Sequence, residues 1–141
     1  MNWYKKSQNQ VEEQIREQII GGRDVFEVDG LQYMLPSHAL DDQVWEIGVN
    51  ELENGWQKDK GFYLGKKHSD QRSVEFSEWM EKGIPIETPE INVGEDGTVY
   101  FTNGRHRFIK VRGMGKSRTI ISVPQEQDTK IMLQMGARRL K

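Results

Sequence analysis

The chain reads as an α+β domain, a small mixed β-sheet with helices packed on it, and three features of the sequence predict this. Asp29-Gly30 and Asp96-Gly97 each stand between short β-prone runs, the strongest short-range signal of a tight hairpin. Thr119 to Val123 is dominated by β-branched residues and closes at Pro124, as a buried strand does. Elsewhere apolar residues recur at helical spacing and stop at glycine. With 141 residues the chain has room for one domain and one core, residues 1–141. Folding at that length buries roughly two-thirds of the unfolded surface.

Each element follows from its residues. Between Ser7 and Ile20, Val11, Ile15, Ile19 and Ile20 share a helix face, and Gly21-Gly22 supplies the stop, so residues 1–22 are expected to hold an N-terminal amphipathic helix. A hairpin turning at Asp29-Gly30 follows, with Val25, Phe26, Val28, Leu31, Tyr33 and Leu35 as its strand residues. Pro36-Ser37 breaks it. Val44 to Val49 is a short strand leading into a helical turn capped by Asn50 and ended by Gly55. Trp56 to Arg72, rich in Lys, Gly, Asp and Ser, reads as a long loop or irregular strands. Ser73 to Lys82 reads as a helix ended by Gly83 and Pro85.

Ile91 to Val93 and Thr98 to Phe101 form the second hairpin, Gly97 providing the positive φ of its turn. Asn103 is placed to cap a helix from about Gly104 to Arg112, which Gly113 and Gly115 stop. After Pro124, residues 125–141 are expected to hold a last helix, Glu126 to Met135, and a basic tail with Arg138, Arg139 and Lys141.

Composition removes several function classes. The chain has no cysteine, which excludes disulfides, thiolate zinc sites and a thiol nucleophile. No apolar run approaches the roughly 20 residues of a membrane span, and MNWYKKSQNQ lacks the apolar core of a secretory signal, so no membrane partner and a cytoplasmic address are expected. Net charge is −2, yet it is unevenly distributed. Arg105, Arg107, Lys110, Arg112, Lys116 and Arg118 follow one another without an intervening Asp or Glu, whereas Asp41 to Glu53 carries five acids and no Lys or Arg. A basic face on a mildly acidic body is the expectation, with Lys110, Arg112, Lys116 and Arg118 as its residues.

The chemistry concentrates at Asn103-Gly104-Arg105-His106-Arg107. A helix start presents unpaired backbone N–H groups and a partial positive charge, which suits a phosphate. Gly104 lets a ligand approach the backbone, Arg105 and Arg107 bring fork-shaped donors, and His106 can donate a hydrogen bond or exchange a proton near neutral pH. Arginines in a first helical turn oppose the helix dipole, and a bound anion relieves that conflict. The alternative is a solvated basic turn whose histidine is satisfied locally.

The order from Ile91 onward (strand, Asp-Gly turn, strand, Asn-Gly-Arg-His-Arg, helix, glycine, β-branched strand, proline) resembles the ParB/sulfiredoxin superfamily, the fold of ParB-like nuclease domains. The similar stretch is residues 44–124, with VWEIGVNELENG standing where the family's opening strand and turn would be. The resemblance implies that Asn103, Gly104, Arg105, His106 and Arg107 surround the phosphates of a nucleotide such as ATP or CTP, with Mg²⁺. Sulfiredoxins carry a catalytic cysteine just before the His-Arg pair, and here that position is Arg105, so sulfinate reduction is excluded. Partition proteins continue into a helix-turn-helix region, whereas Gln125 to Lys141 is too short for one. The resemblance is thus to small stand-alone members of phage or plasmid type, some of which resemble ATPases or nucleases while many have no assigned activity.

Other motifs carry less. Gly115-Lys116-Ser117 imitates the end of a P-loop, but Lys110 occupies the position of the required earlier glycine, and the motif leaves a helix to open a strand. His38, His68 and His106 lack metal-ligand spacing. Glu87, Glu90 and Asp96 are candidates to assist a divalent ion, and Trp56, Phe62 and Tyr63, interleaved with Lys58, Lys60, Lys66 and Lys67, are candidates to stack bases, although solvated surface and core packing are the commoner roles. The function expected is binding of a nucleotide or nucleic-acid phosphate at the Gly-Arg-His-Arg helix start, with His106 the acid/base group if the site hydrolyses ATP or a phosphodiester. The rival is a non-catalytic phage or plasmid protein that grips DNA or an acidic host protein through its basic face.

Overall fold

The computed structural model describes residues 3–63 and 83–141. The helix expected over 73–82, together with Lys66, Lys67 and His68, lies outside the described residues. Helix α1 spans Trp3–Ile20 and stops where Gly21 and Gly22 take φ of 60° and 76°. Arg23 then turns back on it. Its Nε donates to the Ile20 carbonyl at 2.8 Å, and its Nη1 reaches the Leu35 carbonyl at 2.8 Å and Glu87 at 3.2 Å. The guanidinium satisfies an end carbonyl that the helix leaves unpaired, and ties the helix to the strands behind it.

Strands β1 (Phe26–Val28) and β2 (Leu31–Met34) pair antiparallel around Asp29 and Gly30, whose φ values of 52° and 79° make the two-residue turn that the dipeptide predicts. Next come β3 (Gln43–Gly48), α2 (Val49–Gln57) and the short α3 (Lys60–Tyr63). The chain resumes with β4 (Ile86–Glu87), β5 (Glu90–Val93) and β6 (Val99–Asn103). It closes with α4 (Arg105–Gly113), β7 (Arg118–Val123), α5 (Thr129–Gln134) and β8 (Arg138–Arg139).

The strands form two small mixed sheets, so the α+β class holds but one sheet has become two. The first has the order β1-β2-β4, with β4 parallel to β2, and the second β6-β5-β7-β3-β8, with β7 parallel to β5 and antiparallel to β3. Strand β7, five of whose six residues are buried, is the axis of the larger sheet. Tyr33 of the small sheet meets Thr119 of the large one in a buried 3.1 Å hydrogen bond, and the phenol's pKa is pushed up to about 12, chiefly by burial. Beneath the α4 side of the sheet, Trp56, Phe101 and Phe108 form a ring cluster with centroid separations of 4.7 to 6.0 Å. Aromatic pairs of this kind add about 0.5–1.5 kcal/mol beyond area burial. Among the described residues no helix is long and apolar enough to cross a membrane.

Three expectations are corrected. Helix α2 starts from Gly48, not from an Asn50 cap, and runs on through Gly55 to Gln57. Gly55 is a packing glycine: a Cβ there would sit 2.6 Å from Val99 Cγ2 and 2.7 Å from the Gly97 carbonyl oxygen. Its missing side chain lets α2 lie against the β5–β6 hairpin and carries Trp56 into the core, out of the expected loop. The last helix is shorter than Glu126 to Met135, because the Asp128 side chain accepts from the Lys130 N–H at 2.9 Å and caps a helix that begins only at Thr129. The basic tail is partly strand. Arg138 and Arg139 pair with Glu46 and Trp45 of β3, and the Arg139 guanidinium lies 5.9 Å from the Trp45 ring centroid.

Candidate anion-binding site

Strand β6 passes into α4 through Gly104 alone, whose φ of 82° and ψ of 16° turn the chain in the left-handed region. Two neighbours leave no room for a side chain there: a Cβ would lie 2.8 Å from Pro89 Cα and 2.6 Å from Arg107 Nη2. The wall behind the turn is fixed to the sheet. Pro89 accepts from the Ser122 N–H at 3.0 Å, and the buried Thr88 hydroxyl donates to Ser122 Oγ at 2.9 Å. Thr102 Oγ1 donates to the Glu90 carbonyl at 3.1 Å, next to a β-bulge between Glu90 and Ile91.

From this turn the first helical bond runs from the Phe108 N–H to the Gly104 carbonyl at 3.1 Å. Phe108 and Val111, both fully buried, anchor the helix and fix its direction. Arg105, His106 and Arg107 occupy the first turn and are half-buried. The Arg107 guanidinium folds over Gly104 and reaches the Thr88 carbonyl at 3.4 Å. The Arg105 Nε is closed off from solvent and has no hydrogen-bond acceptor among the described residues. Such an atom loses its hydration without replacement. No side chain caps the helix and no acid stands in its first turn. Asn103 is therefore not the cap: it is the last residue of β6, exposed, opposite Glu90. With Gly104 in the left-handed region, the capping position falls on a residue that has no side chain.

Two of the four residues of the expected basic face, Arg112 and Arg118, are paired with acids. Arg112 Nη1 lies 2.8 Å from each carboxylate oxygen of Glu53 on α2. Arg118 and Arg138 share Glu46 of β3, each at 3.3 Å. Lys116 lies beside the β1–β2 turn. There the N–H and hydroxyl of Ser117 donate to Asp29 at 2.8 and 3.3 Å, and the first of these bonds leads the causes that hold the Asp29 carboxyl below its ordinary range. Lys110 is half-buried. The acids of the Asp41–Glu53 segment were legible as a counterweight in sequence; which cations they meet was not.

The remaining candidates are dispersed. Gly115-Lys116-Ser117 joins a helix to a strand, the reverse of a P-loop. Trp56 is 1% exposed and packs in the core against Phe101, so its ring is not offered to a base. Glu87 pairs with Arg23, and Asp96 accepts from the Thr98 N–H at 3.0 Å. Glu90 meets exposed His38, whose Nε2 lies 2.9 and 3.1 Å from its two oxygens. That pair had no sequence signal. Beside it, burial and then the charge of Glu90 push the Asp42 carboxyl above its ordinary value, aided by Glu126 and Asp41 and opposed by His38. Among the described residues no group of three or more His, Asp or Glu is arranged to hold a metal. Compared with family models, curated proteins and solved structures, the chain matches none.

Proposed function

We propose that the chain binds the phosphate of a nucleotide, or a terminal phosphate of a nucleic acid, at the start of α4. The observation that carries this reading is the buried, acceptor-less Nε of Arg105 at the first position of a helix with no side-chain cap. A phosphate there would accept from Arg105 and Arg107 and oppose the positive end of the helix dipole. Asn103 would flank it, and Gly104 keeps the approach to the backbone open. The ParB/sulfiredoxin resemblance of residues 44–124 implies ATP or CTP as the ligand class. A Mg²⁺ arriving with the nucleotide would be held through phosphate oxygens and water, with at most single carboxylates assisting.

If the site hydrolyses its ligand, whether as an ATPase or as a nuclease, His106 is the group that exchanges the proton while Arg105 and Arg107 hold the phosphoryl oxygens. The rival reading, a non-catalytic DNA- or protein-binding face, loses support from the pairing of Arg112 and Arg118 with acids of the same chain. Thermal unfolding in the presence of ATP, CTP, GTP or single-stranded DNA, with and without Mg²⁺, tests the proposal, because a ligand that binds only the native state raises the midpoint. A rise with one nucleotide that is lost in Arg105→Ala supports it. No rise with any phosphate ligand removes it. His106→Asn separates the two classes: an enzyme loses about a hundredfold in rate with little change in affinity, and a binding module shows no such split.

A further inference from the structure

The chain contains two Asn-Gly dipeptides, Asn54-Gly55 and Asn103-Gly104, and the fold treats them in opposite ways. The first lies inside α2, where Gly55 is buried against Val99 and Gly97. Its backbone nitrogen is held in the helical ladder. The second lies at the exposed junction of β6 and α4. We infer that Asn103 is a site of spontaneous covalent modification, in which the Gly104 backbone nitrogen closes on the Asn103 side-chain carbonyl and the residue becomes aspartate or isoaspartate.

The step balances without any co-reactant other than water. The Gly104 nitrogen loses its proton and attacks Asn103 Cγ, ammonia leaves and a five-membered succinimide remains. Water then opens the ring at one of its two carbonyls. The intermediates on this path are anionic, first the amide nitrogen and then the tetrahedral oxyanion. Three features of the junction favour this path, two by charge and one by space. The dipole of α4 places its positive end at Gly104. The Arg107 guanidinium lies directly over Gly104. No side chain on residue 104 obstructs the closing ring. The field that suits an external phosphate thus also suits making an internal carboxylate, and the product would stand beside Arg105 and Arg107 as a permanent competing anion. That consequence for binding rests on the phosphate reading; the modification itself does not.

The test ages the full chain at body temperature and mildly alkaline pH, and follows both dipeptides by peptide mapping with mass detection. The expected result is acid at position 103 well ahead of position 54, formed faster than in a synthetic peptide spanning Thr102 to Phe108, and slowed in Arg107→Ala. Conversion at 54 equal to that at 103 would overturn the inference. So would conversion at 103 slower than in the peptide, the outcome if the extended end of β6 holds the side chain away from the Gly104 nitrogen. A separate arm measures ATP and CTP binding by the full-length Asn103→Asp variant. Weaker binding than wild type makes the modification an off-switch for the site. Equal binding by the two proteins overturns the switch while leaving the modification intact, and absence of binding by the wild type rejects the phosphate reading alone.

Discussion

At the start of α5 a side chain caps the helix with an anion, and at the start of α4 no residue of the helix or its entry does. Asp128 folds onto the Lys130 N–H and closes the first turn of α5. Helix α2 also begins at a glycine, Gly48, but there Glu51 of the first turn folds back until its carboxylate occupies the space a Cβ would need. Both helices carry an acid against the positive end of the dipole. Helix α4 has the same glycine entry with Arg105 and Arg107 in place of the acid. Within one molecule, α2 and α5 carry an acid at their start where α4 carries arginines.

The largest expected effect breaks the anchoring of α4. Phe108→Ala removes a fully buried ring from the cluster with Trp56 and Phe101 and should cost about 3–5 kcal/mol in chemical unfolding. A loss below about 1 kcal/mol would mean that the helix is not held by its core face. The next sharpens the contrast itself. Arg107→Ala should weaken phosphate-ligand binding by about 1.5–3 kcal/mol in titrations at low salt, and Arg107→Lys should recover only part, since a point charge lacks the fork. Unchanged affinity in both variants would move the anion site elsewhere.

At the internally neutralised start, Asp128→Ala should destabilise by about 1 kcal/mol in thermal or chemical unfolding, and added phosphate should not repair it. Rescue by phosphate would mean that α5 accepts external anions as readily as α4, and the contrast would fail. The smallest effect concerns Asp42. Its folded carboxyl sits above the ordinary value of 3.8 because of burial first and Glu90 second, so folding favours the protonated form. Stability from this group is therefore highest below that value and declines as pH rises through the raised folded range. Asp42→Asn should match the wild type in acid and become slightly more stable as pH increases, measured by unfolding across pH; a variant less stable at neutral pH would refute the sign.

Much of the fold was legible because its signals are local. Asp29-Gly30 and Asp96-Gly97 announce their turns, and both hairpins form around them. The helix after Gly104 and the strand before Pro124 also appear within a residue or so of their expected bounds. Gly55 misled because a glycine at a helix end and a glycine under a crossing strand look alike in sequence, and only the approach of Val99 distinguishes them. The two-residue β8 carries no apolar pattern. It exists because β3 offers Trp45 and Glu46 as partners.

For the candidate site, residue identity determined by itself that any chemistry proceeds without thiols and that cations crowd one helix start without an acid. The same spacing placed a glycine where the chain must turn. Tertiary structure alone decided which of the cations meet acids. Arg112 and Arg118 meet Glu53 and Glu46 across separations of 59 and 72 residues, while the Nε of Arg105 is buried with no acceptor among the described residues. The physical reason is range. Turn conformation and helical periodicity depend on neighbours a few residues away, whereas charge compensation and desolvation depend on whatever the fold brings within a few ångströms.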